Sequence, residues 1–108
     1  MSIIELLNAY AVQVPGEKTT FRADFTVADA FGEKAIRDTY KRAFDEWKDN
    51  CEYLTELVIV LNHKEWEHYE KRNSKLCRVY DILYRKAHSY ALSHLKGEEL
   101  SYYLRTTD

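Results

Sequence analysis

The chain has 108 residues, the length of a single domain that can bury a core without disulfide bonds. Apolar residues make up 45% and charged residues 31%, which excludes wholesale disorder, and the net charge of −2 excludes a general binder of polyanions. Only three glycines and one proline are present, which favours long helices over a loop-rich or sheet-rich fold. The composition therefore predicts one mostly α-helical domain over residues 1–108.

The start of the chain and its cysteines indicate a compartment. The first residues lack the basic start and long apolar stretch of a signal peptide. The longest unbroken apolar run covers residues 57–61, far short of the roughly 20 residues that a membrane helix needs. Cys51 and Cys77 form neither a disulfide framework nor a CxxC motif. We therefore expect a cytoplasmic protein with reduced thiols and no membrane association.

The spacing of apolar residues changes within the N-terminal segment, residues 1–32. Residues 3–10 have the pattern of a short helix, and apolar and polar residues then alternate over 10–14 and over 21–25, on either side of the Pro15-Gly16 turn. This alternation predicts a small β-hairpin or flap, and an irregular loop is the alternative. Residues 26–29 have the form of a capping box and predict a further short helix that ends at Gly32.

A long helical pattern follows over residues 33–72. Its apolar residues recur at alternating steps of three and four, which is the seam of a helix that packs on another helix. These residues are Phe44, Trp47, Cys51, Leu54, Val58 and Leu61. Asp49-Asn50 is a candidate break, but the seam continues in phase beyond it, so we expect one long helix, kinked or straight.

The same spacing returns in a second helix, predicted over residues 75–96 after a hinge at Asn73-Ser74 and ending at Gly97. Its seam residues are Leu76, Tyr80, Leu83, Ala87 and Tyr90. A last short helix is predicted over residues 98–104, before a polar tail. The predicted fold is a long antiparallel helical hairpin with short flanking helices.

Motifs of common enzymes are missing from the sequence. It has no glycine-rich phosphate loop, no nucleophile elbow and no HExxH motif. Glu65 and His68 form one ExxH motif, but a di-iron site needs two with further carboxylates. Most other carboxylates lie four residues from a basic residue, as on a solvated helix face. We therefore predict that the protein is not an enzyme.

A zinc site is the alternative that the cysteines and histidines suggest. If the hairpin folds at Asn73, Cys51 lies opposite residue 95, beside His94, and His68 lies beside Cys77. Each pair gives two ligands where zinc takes four, so Glu98, Glu99 or a second chain would have to complete the first site. The favoured interpretation is that Cys51 is a core residue, that His94 bonds to the backbone, and that no cofactor is needed.

The basic residues cluster where the hairpin turns. Residues 63–96 contain eight Lys or Arg against four Asp or Glu, and the rest of the chain contains eight against fourteen. The turn combines these basic residues with aromatic ones: Trp66, Tyr69, Lys71, Arg72, Lys75 and Arg78. Such a surface can bind an acidic protein face or a nucleic-acid strand, and we predict these six residues as the partner-binding residues. We expect Tyr69 and Tyr80 to be core residues, and an exposed or interface role for Trp66 stays open.

Three segments carry a family resemblance: residues 38–44 (DTYKRAF), residues 55–64 (TELVIVLNHK) with Trp66 and Tyr69 after them, and residues 96–102 (KGEELSY). From about Asp24 onward the chain resembles a family of small proteins of unknown function from Gram-positive bacteria and their phages. The resemblance implies a compact helical protein of a mobile element and no particular activity. Cys51 and Cys77 depart from the family pattern.

These observations predict a non-catalytic protein that binds another macromolecule. A protein partner is the first expectation, either a host protein or a second copy of the chain in a homodimer. The resemblance implies a phage or mobile-element accessory protein that inhibits a host protein, as anti-CRISPR proteins do. A zinc-binding protein and a nucleic-acid-binding protein are the alternatives.

Overall fold

A computed structural model of the protein describes residues 20–107, with side chains from residue 21 onward. This part of the chain is mostly helical and contains no strand. Its helices are α1 (Thr20–Asp29), α2 (Glu33–Trp47), α3 (Cys51–Glu70), α4 (Ser74–His94) and α5 (Gly97–Thr107). The mostly all-α class predicted from composition is confirmed.

Helix α1 corrects the prediction for residues 21–25, which are helical and not part of a β-hairpin. Phe21, Phe25 and Ala28 are buried at steps of four and three, so they form one face of a helix. The alternation of Phe21, Ala23 and Phe25 was misleading because residues four apart lie on one face of a strand and also on one face of a helix. The rest of the predicted hairpin, residues 10–19, and the helix predicted over residues 3–10 lie outside the described residues.

The predicted capping box at residues 26–29 is wrong, because these residues lie before the turn between α1 and α2. Residues 26–29 end α1 and do not begin a helix. Gly32 adopts a φ of 99°, and its N–H donates to the carbonyl of Ala28 at 3.1 Å. This conformation suits glycine because no Cβ clashes with the backbone there. Gly32 therefore closes α1 and precedes the first residue of α2.

The prediction of a single helix over residues 33–72 is wrong, because one helix ends at Trp47 and a new one begins at Cys51. Asn50 has an extended backbone, and its side-chain oxygen accepts a hydrogen bond from the N–H of Tyr53 at 3.1 Å. This is the geometry of a helix N-cap. The rings of Trp47 and Tyr53 stack across the break at 4.1 Å, so apolar contact continues although the helix does not.

Helix α3 is the centre of the fold and contacts each of the other four helices. Apolar side chains are buried on several of its faces, because it has neighbours on several sides. The most buried are Leu54, Leu57, Val58, Val60 and Leu61. Helix α4 forms its largest contact with α3, through buried residues such as Tyr80, Leu83 and Ala87.

Helix α5 closes the far end of the α3–α4 pair. Tyr103 is its buried anchor, and its hydroxyl hydrogen-bonds to Nδ1 of His88 on α4 at 2.5 Å. The helix begins at Gly97 and extends through Thr107, so the prediction of a short helix over residues 98–104 followed by a polar tail is too short. Over residues 20–107, no helix combines the length and the apolar character needed to cross a bilayer.

Candidate functional site

The turn between α3 and α4 has a defined backbone. The N–H of Arg72 donates to the carbonyl of Tyr69 at 3.0 Å, and the N–H of Asn73 donates to the carbonyl of His68 at 2.8 Å. These two bonds form a Schellman motif, in which the residue at the position of Arg72 is usually glycine. Arg72 has a φ of 58°, the only positive φ of a non-glycine residue among residues 20–107. An arginine thus occupies a strained backbone position in the α3–α4 turn.

A groove lies beside this turn, between the last residues of α3 and the first turns of α4. We call it the tip groove. Two large aromatic side chains line it and remain in contact with solvent, since Trp66 is 55% exposed and Tyr69 is 63% exposed. Their rings meet edge to face, with centroids 5.4 Å apart. The residues that line the tip groove are Glu65, Trp66, His68, Tyr69, Glu70, Arg72, Ser74, Cys77, Arg78 and Asp81.

The exposure of these aromatics separates two predictions made from the sequence. Tyr80 is fully buried, as expected for a core residue. The same expectation for Tyr69 is wrong, because its position on α3 points it out of the α3–α4 contact and beside Trp66. Exposed apolar rings that lie side by side are less common than single ones and mark surfaces that contact other molecules.

The four predicted basic residues divide into two groups. Arg72 and Arg78 are exposed, line the tip groove and form no ion pair with residues 21–107. Lys75 is also exposed but lies outside the groove lining, and Lys71 pairs with Glu67 at 3.7 Å. The structure thus brings Trp66, Tyr69, Arg72 and Arg78 into one surface and leaves the two lysines at its edge.

A pair of carboxyl groups lies at the other end of the tip groove. Glu65 of α3 and Asp81 of α4 are within hydrogen-bond reach of each other, and Asp81 also accepts two hydrogen bonds from Nε of Arg85 at 2.9 and 3.1 Å. Burial, the hydrogen bond with Asp81 and the charge of Asp81 raise the pKa of Glu65 to about 7, although Arg85 opposes the rise. The hydrogen bond from Glu65 lowers the pKa of Asp81. The two carboxyls therefore share one proton near neutral pH.

A buried polar cluster lies behind the groove, where α1, α3 and α4 meet. Its centre is Lys64, which has no exposed surface and whose Nζ lies 2.6 Å from Oδ2 of Asp29 and 2.6 Å from Oε2 of Glu67. Nε2 of His68 donates to the same Asp29 oxygen at 3.0 Å. The hydroxyl of Tyr80 donates to the other Asp29 oxygen at 2.5 Å. Asp29, at the end of α1, is thus held by three donors from two other helices.

The pKa values of Glu67 and Tyr80 are shifted in opposite directions by burial and by their charged neighbours in this cluster. Burial acts to raise the pKa of Glu67, but the hydrogen bond from Lys64 and the charges of Lys64, Lys71 and His68 outweigh it and lower that pKa. Burial and the hydrogen bond to Asp29 raise the pKa of Tyr80 far above its usual range, so its hydroxyl stays protonated. The Lys64 ammonium is enclosed between two carboxylates of different helices, so the cluster ties α1, α3 and α4 together.

Sequence reasoning missed this cluster, although one signal for it exists. Lys64 and His68 continue the buried face of α3, at steps of three and seven from Leu61. A lysine in phase with an apolar seam has to be paired if it is buried. Glu67, three residues after Lys64, supplies one partner within the same helix. The second partner, Asp29, is 35 positions earlier and was not visible in the local pattern.

The predicted zinc ligands lie in different surroundings. The thiol of Cys51 donates to the carbonyl of Glu99 at 3.5 Å, and burial raises its pKa. The ring of His94 stacks on Tyr90 and donates from Nδ1 to the carbonyl of that residue at 2.9 Å. Within residues 21–107, neither belongs to a group of three side chains that could hold a metal. The zinc site therefore stays a prediction without a third donor.

The described residues contain one group of three candidate metal-binding side chains: Asp29, Glu67 and His68. Their ligand atoms lie within 4.8 Å of one another. However, the Lys64 ammonium contacts both carboxylates at 2.6 Å and thus occupies the position that a cation would take. Nδ1 of His68 is buried and has no hydrogen-bond partner among residues 21–107, while its Nε2 faces Asp29. The two carboxylates of the group are therefore neutralised by Lys64 of the same chain.

Comparison of the chain with protein-family models, with curated proteins and with solved structures finds no match. The resemblance to small proteins of Gram-positive bacteria and their phages stays a prediction.

Proposed function

We propose that this protein is a non-catalytic binding protein, and that the α3–α4 pair acts as a helical hairpin that presents the tip groove to a protein partner. The single observation that carries the proposal is the pair of exposed rings, Trp66 and Tyr69, flanked by the guanidinium groups of Arg72 and Arg78, which form no ion pair with residues 21–107. Tryptophan, tyrosine and arginine are the residue types that contribute most to protein–protein binding energy.

The backbone of the tip supports the same proposal. A glycine at position 72 would remove the strain of the left-handed conformation, yet the chain has an arginine there. Strain of this kind is concentrated at functional sites, where the side chain is needed. Arg72 is exposed and lines the groove, so its side chain contributes nothing to the core and is available to a partner.

A binding experiment with matched variants tests the proposal. The tagged protein is used to capture partners from a lysate of a Gram-positive bacterium, the host class that the family resemblance implies, after nuclease treatment. We expect a specific protein to be retained by the wild type and lost with the double variant Trp66→Ala, Tyr69→Ala. The control is Phe31→Ser, which alters a side chain that is 71% exposed on the α1–α2 turn and should leave capture unchanged.

Loss of capture in the control as well, or equal capture by all three proteins, would contradict a role for the tip groove. Circular dichroism confirms that the variants keep their helices. A partner that disappears only after nuclease treatment would instead indicate nucleic-acid binding, and its affinity would then fall steeply with added salt. The captured protein, once identified, also tests the inhibitory role, because its own activity can be measured with and without this chain.

A further inference from the structure

The charged side chains of the tip groove have an uneven distribution that points to the chemistry of the partner. Arg72 and Arg78 have no anionic partner among the described residues, whereas the charge of Asp81 is already paired with Arg85. Glu70 is the remaining carboxylate of the lining whose charge is not shared with another group. An anionic group that enters the groove can therefore form charge-assisted hydrogen bonds with two guanidinium groups that lack them.

The protonation state of Glu65 determines the net charge of the groove. Arg85 lies outside the lining but pairs with Asp81, so with Glu65 protonated the charges that remain are those of Arg72, Arg78 and Glu70, and their sum is +1. With Glu65 ionised, the sum is zero. Glu65 faces Asp81, Arg85 and the Cys77 thiol from α4, and His68 lies three positions further along its own helix. The proton shared by Glu65 and Asp81 therefore acts directly on the potential that an anionic partner would meet.

We propose that the tip groove binds an acidic segment of a protein partner, and that binding is stronger when the Glu65–Asp81 pair holds a proton. The carboxylates of the segment bind Arg72 and Arg78, and its apolar side chains pack on Trp66 and Tyr69. This inference rests on the proposed function and adds to it the charge of the partner and the dependence on pH. A basic partner would place its cations against Arg72 and Arg78, which charge repulsion disfavours.

The probe for the test is a blocked hexapeptide of alternating glutamate and leucine, added to the isotope-labelled full-length protein and followed by NMR at low salt. We expect chemical-shift changes at the Trp66 indole N–H and the Arg72 and Arg78 side-chain N–H groups. The same peptide with lysine in place of glutamate should cause none. Absence of these changes with the acidic peptide, or equal changes with the lysine peptide, would overturn the choice of an acidic partner.

The second measurement is the affinity of the glutamate peptide at pH 6 and at pH 8, between which its own carboxylates stay ionised. We expect binding about fivefold weaker at pH 8, the effect of one unit charge about 4 Å away in water. The variant Glu65→Gln should bind equally at both values. A pH dependence that persists in Glu65→Gln would assign the effect to another group, such as His68, and no dependence in the wild type would exclude the shared proton as its cause.

The outcomes separate this inference from the function on which it rests. A captured partner that depends on Trp66 and Tyr69, together with no response to the acidic peptide, would leave the binding function standing and overturn the charge assignment. Loss of both would remove the tip groove as a binding surface. Charge reversal by Arg78→Glu, compared with Lys86→Glu on the same helix outside the groove lining, checks that any response is local.

Discussion

Lys64 is the least expected residue of the core, because lysine is almost never fully buried unless it is paired. Its ammonium has two carboxylates at 2.6 Å, and its Nζ lies over the Tyr80 ring, 5.9 Å from the ring centroid. Replacing a buried ion pair as a whole is often tolerated, but removing one member leaves the other charge buried alone. Removing the Lys64 charge should therefore weaken the contacts among α1, α3 and α4.

Replacing Lys64 by methionine keeps the unbranched stem and removes the charge. We expect the free energy of unfolding to fall by about 3–5 kcal/mol, because Asp29 and Glu67 lose their shared cation. Urea denaturation followed by circular dichroism measures the change. The control is Lys86→Met, an exposed lysine of α4 that should change stability very little. A loss below about 1 kcal/mol for Lys64→Met would show that the two carboxylates find other partners.

Position 72 should separate stability from binding. We expect Arg72→Gly to raise the free energy of unfolding by about 1 kcal/mol, since glycine adopts the left-handed conformation without a steric penalty. The same variant should bind the partner less well, because a guanidinium of the tip groove is lost. Arg72→Ala is the matched variant: it loses the guanidinium but keeps the strain. Equal stability of the glycine and alanine variants in thermal denaturation would contradict the strain argument.

At the scale of helices, two asparagines determine where α3 and α4 begin. The side chains of Asn50 and Asn73 accept hydrogen bonds from the N–H groups three residues later, at 3.1 and 3.2 Å. We expect Asn50→Ala and Asn73→Ala each to lower the free energy of unfolding by about 1 kcal/mol. Asn62→Ala, within α3, is the control and should not destabilise, since alanine favours the helix interior. Denaturant titration measures all three, and equal losses would contradict the capping roles.

The sequence predicted helices best where the period was long and uninterrupted. The seam residues Tyr80, Leu83 and Ala87 are all buried in α4, and Asn73 caps that helix as one of the two expected residues. Asp49-Asn50 was recognised as a candidate break, but a continuous helix was preferred because the apolar seam stays in phase, and the stack of Trp47 on Tyr53 keeps the apolar contact continuous there. The spacing of apolar residues indicates which side chains are buried. A short helix break that keeps the same side chains buried hardly changes this spacing, so the spacing does not reveal the break.

The candidate site was predictable only in part, for a physical reason. Trp66, Arg72 and Arg78 are close in sequence, so the basic, aromatic composition of the tip was visible. The exposure of Tyr69 depends on a rotation of α3 that its neighbours in space determine. The pairing of Glu65 with Asp81, and that of Lys64 with Asp29, joins different helices. Contacts of this kind follow from the packing and not from any local spacing.

For the molecule as a whole, Glu65 makes stability depend on pH. Its pKa is raised from 4.5 in the unfolded chain to about 7, so it favours the folded state fully below pH 4.5. That contribution is lost as the pH rises through about 7. We expect the difference in melting temperature between Glu65→Gln and the wild type to grow in favour of the variant between pH 5 and pH 8, in thermal scans. A constant difference would show that Glu65 has an ordinary pKa.

Asp29, the last residue of α1, adds a polar attachment of that helix to the rest of the fold, beside the buried face of Phe21, Phe25 and Ala28. A carboxylate at a helix C-terminus is unfavourable towards the helix dipole, so the donors Lys64, His68 and Tyr80 have to outweigh it. We expect Asp29→Asn to speed amide hydrogen exchange in α1 by about tenfold or more, since hydrogen bonds to a charged group contribute about 1.5–3 kcal/mol. Exchange within α4 should accelerate less. Uniform acceleration across all helices would indicate that α1 does not open separately.

The two tryptophans of the chain have different surroundings, and this gives the molecule two optical signals. Trp47 stacks on Tyr53 at the α2–α3 break and is half-buried, whereas Trp66 is largely exposed at the tip groove. With Trp66→Phe, the emission of Trp47 alone reports whether the helices are assembled. With Trp47→Phe, the emission of Trp66 alone shifts to shorter wavelength when something covers the groove. Folding and occupancy can thus be followed separately by light, without any attached label.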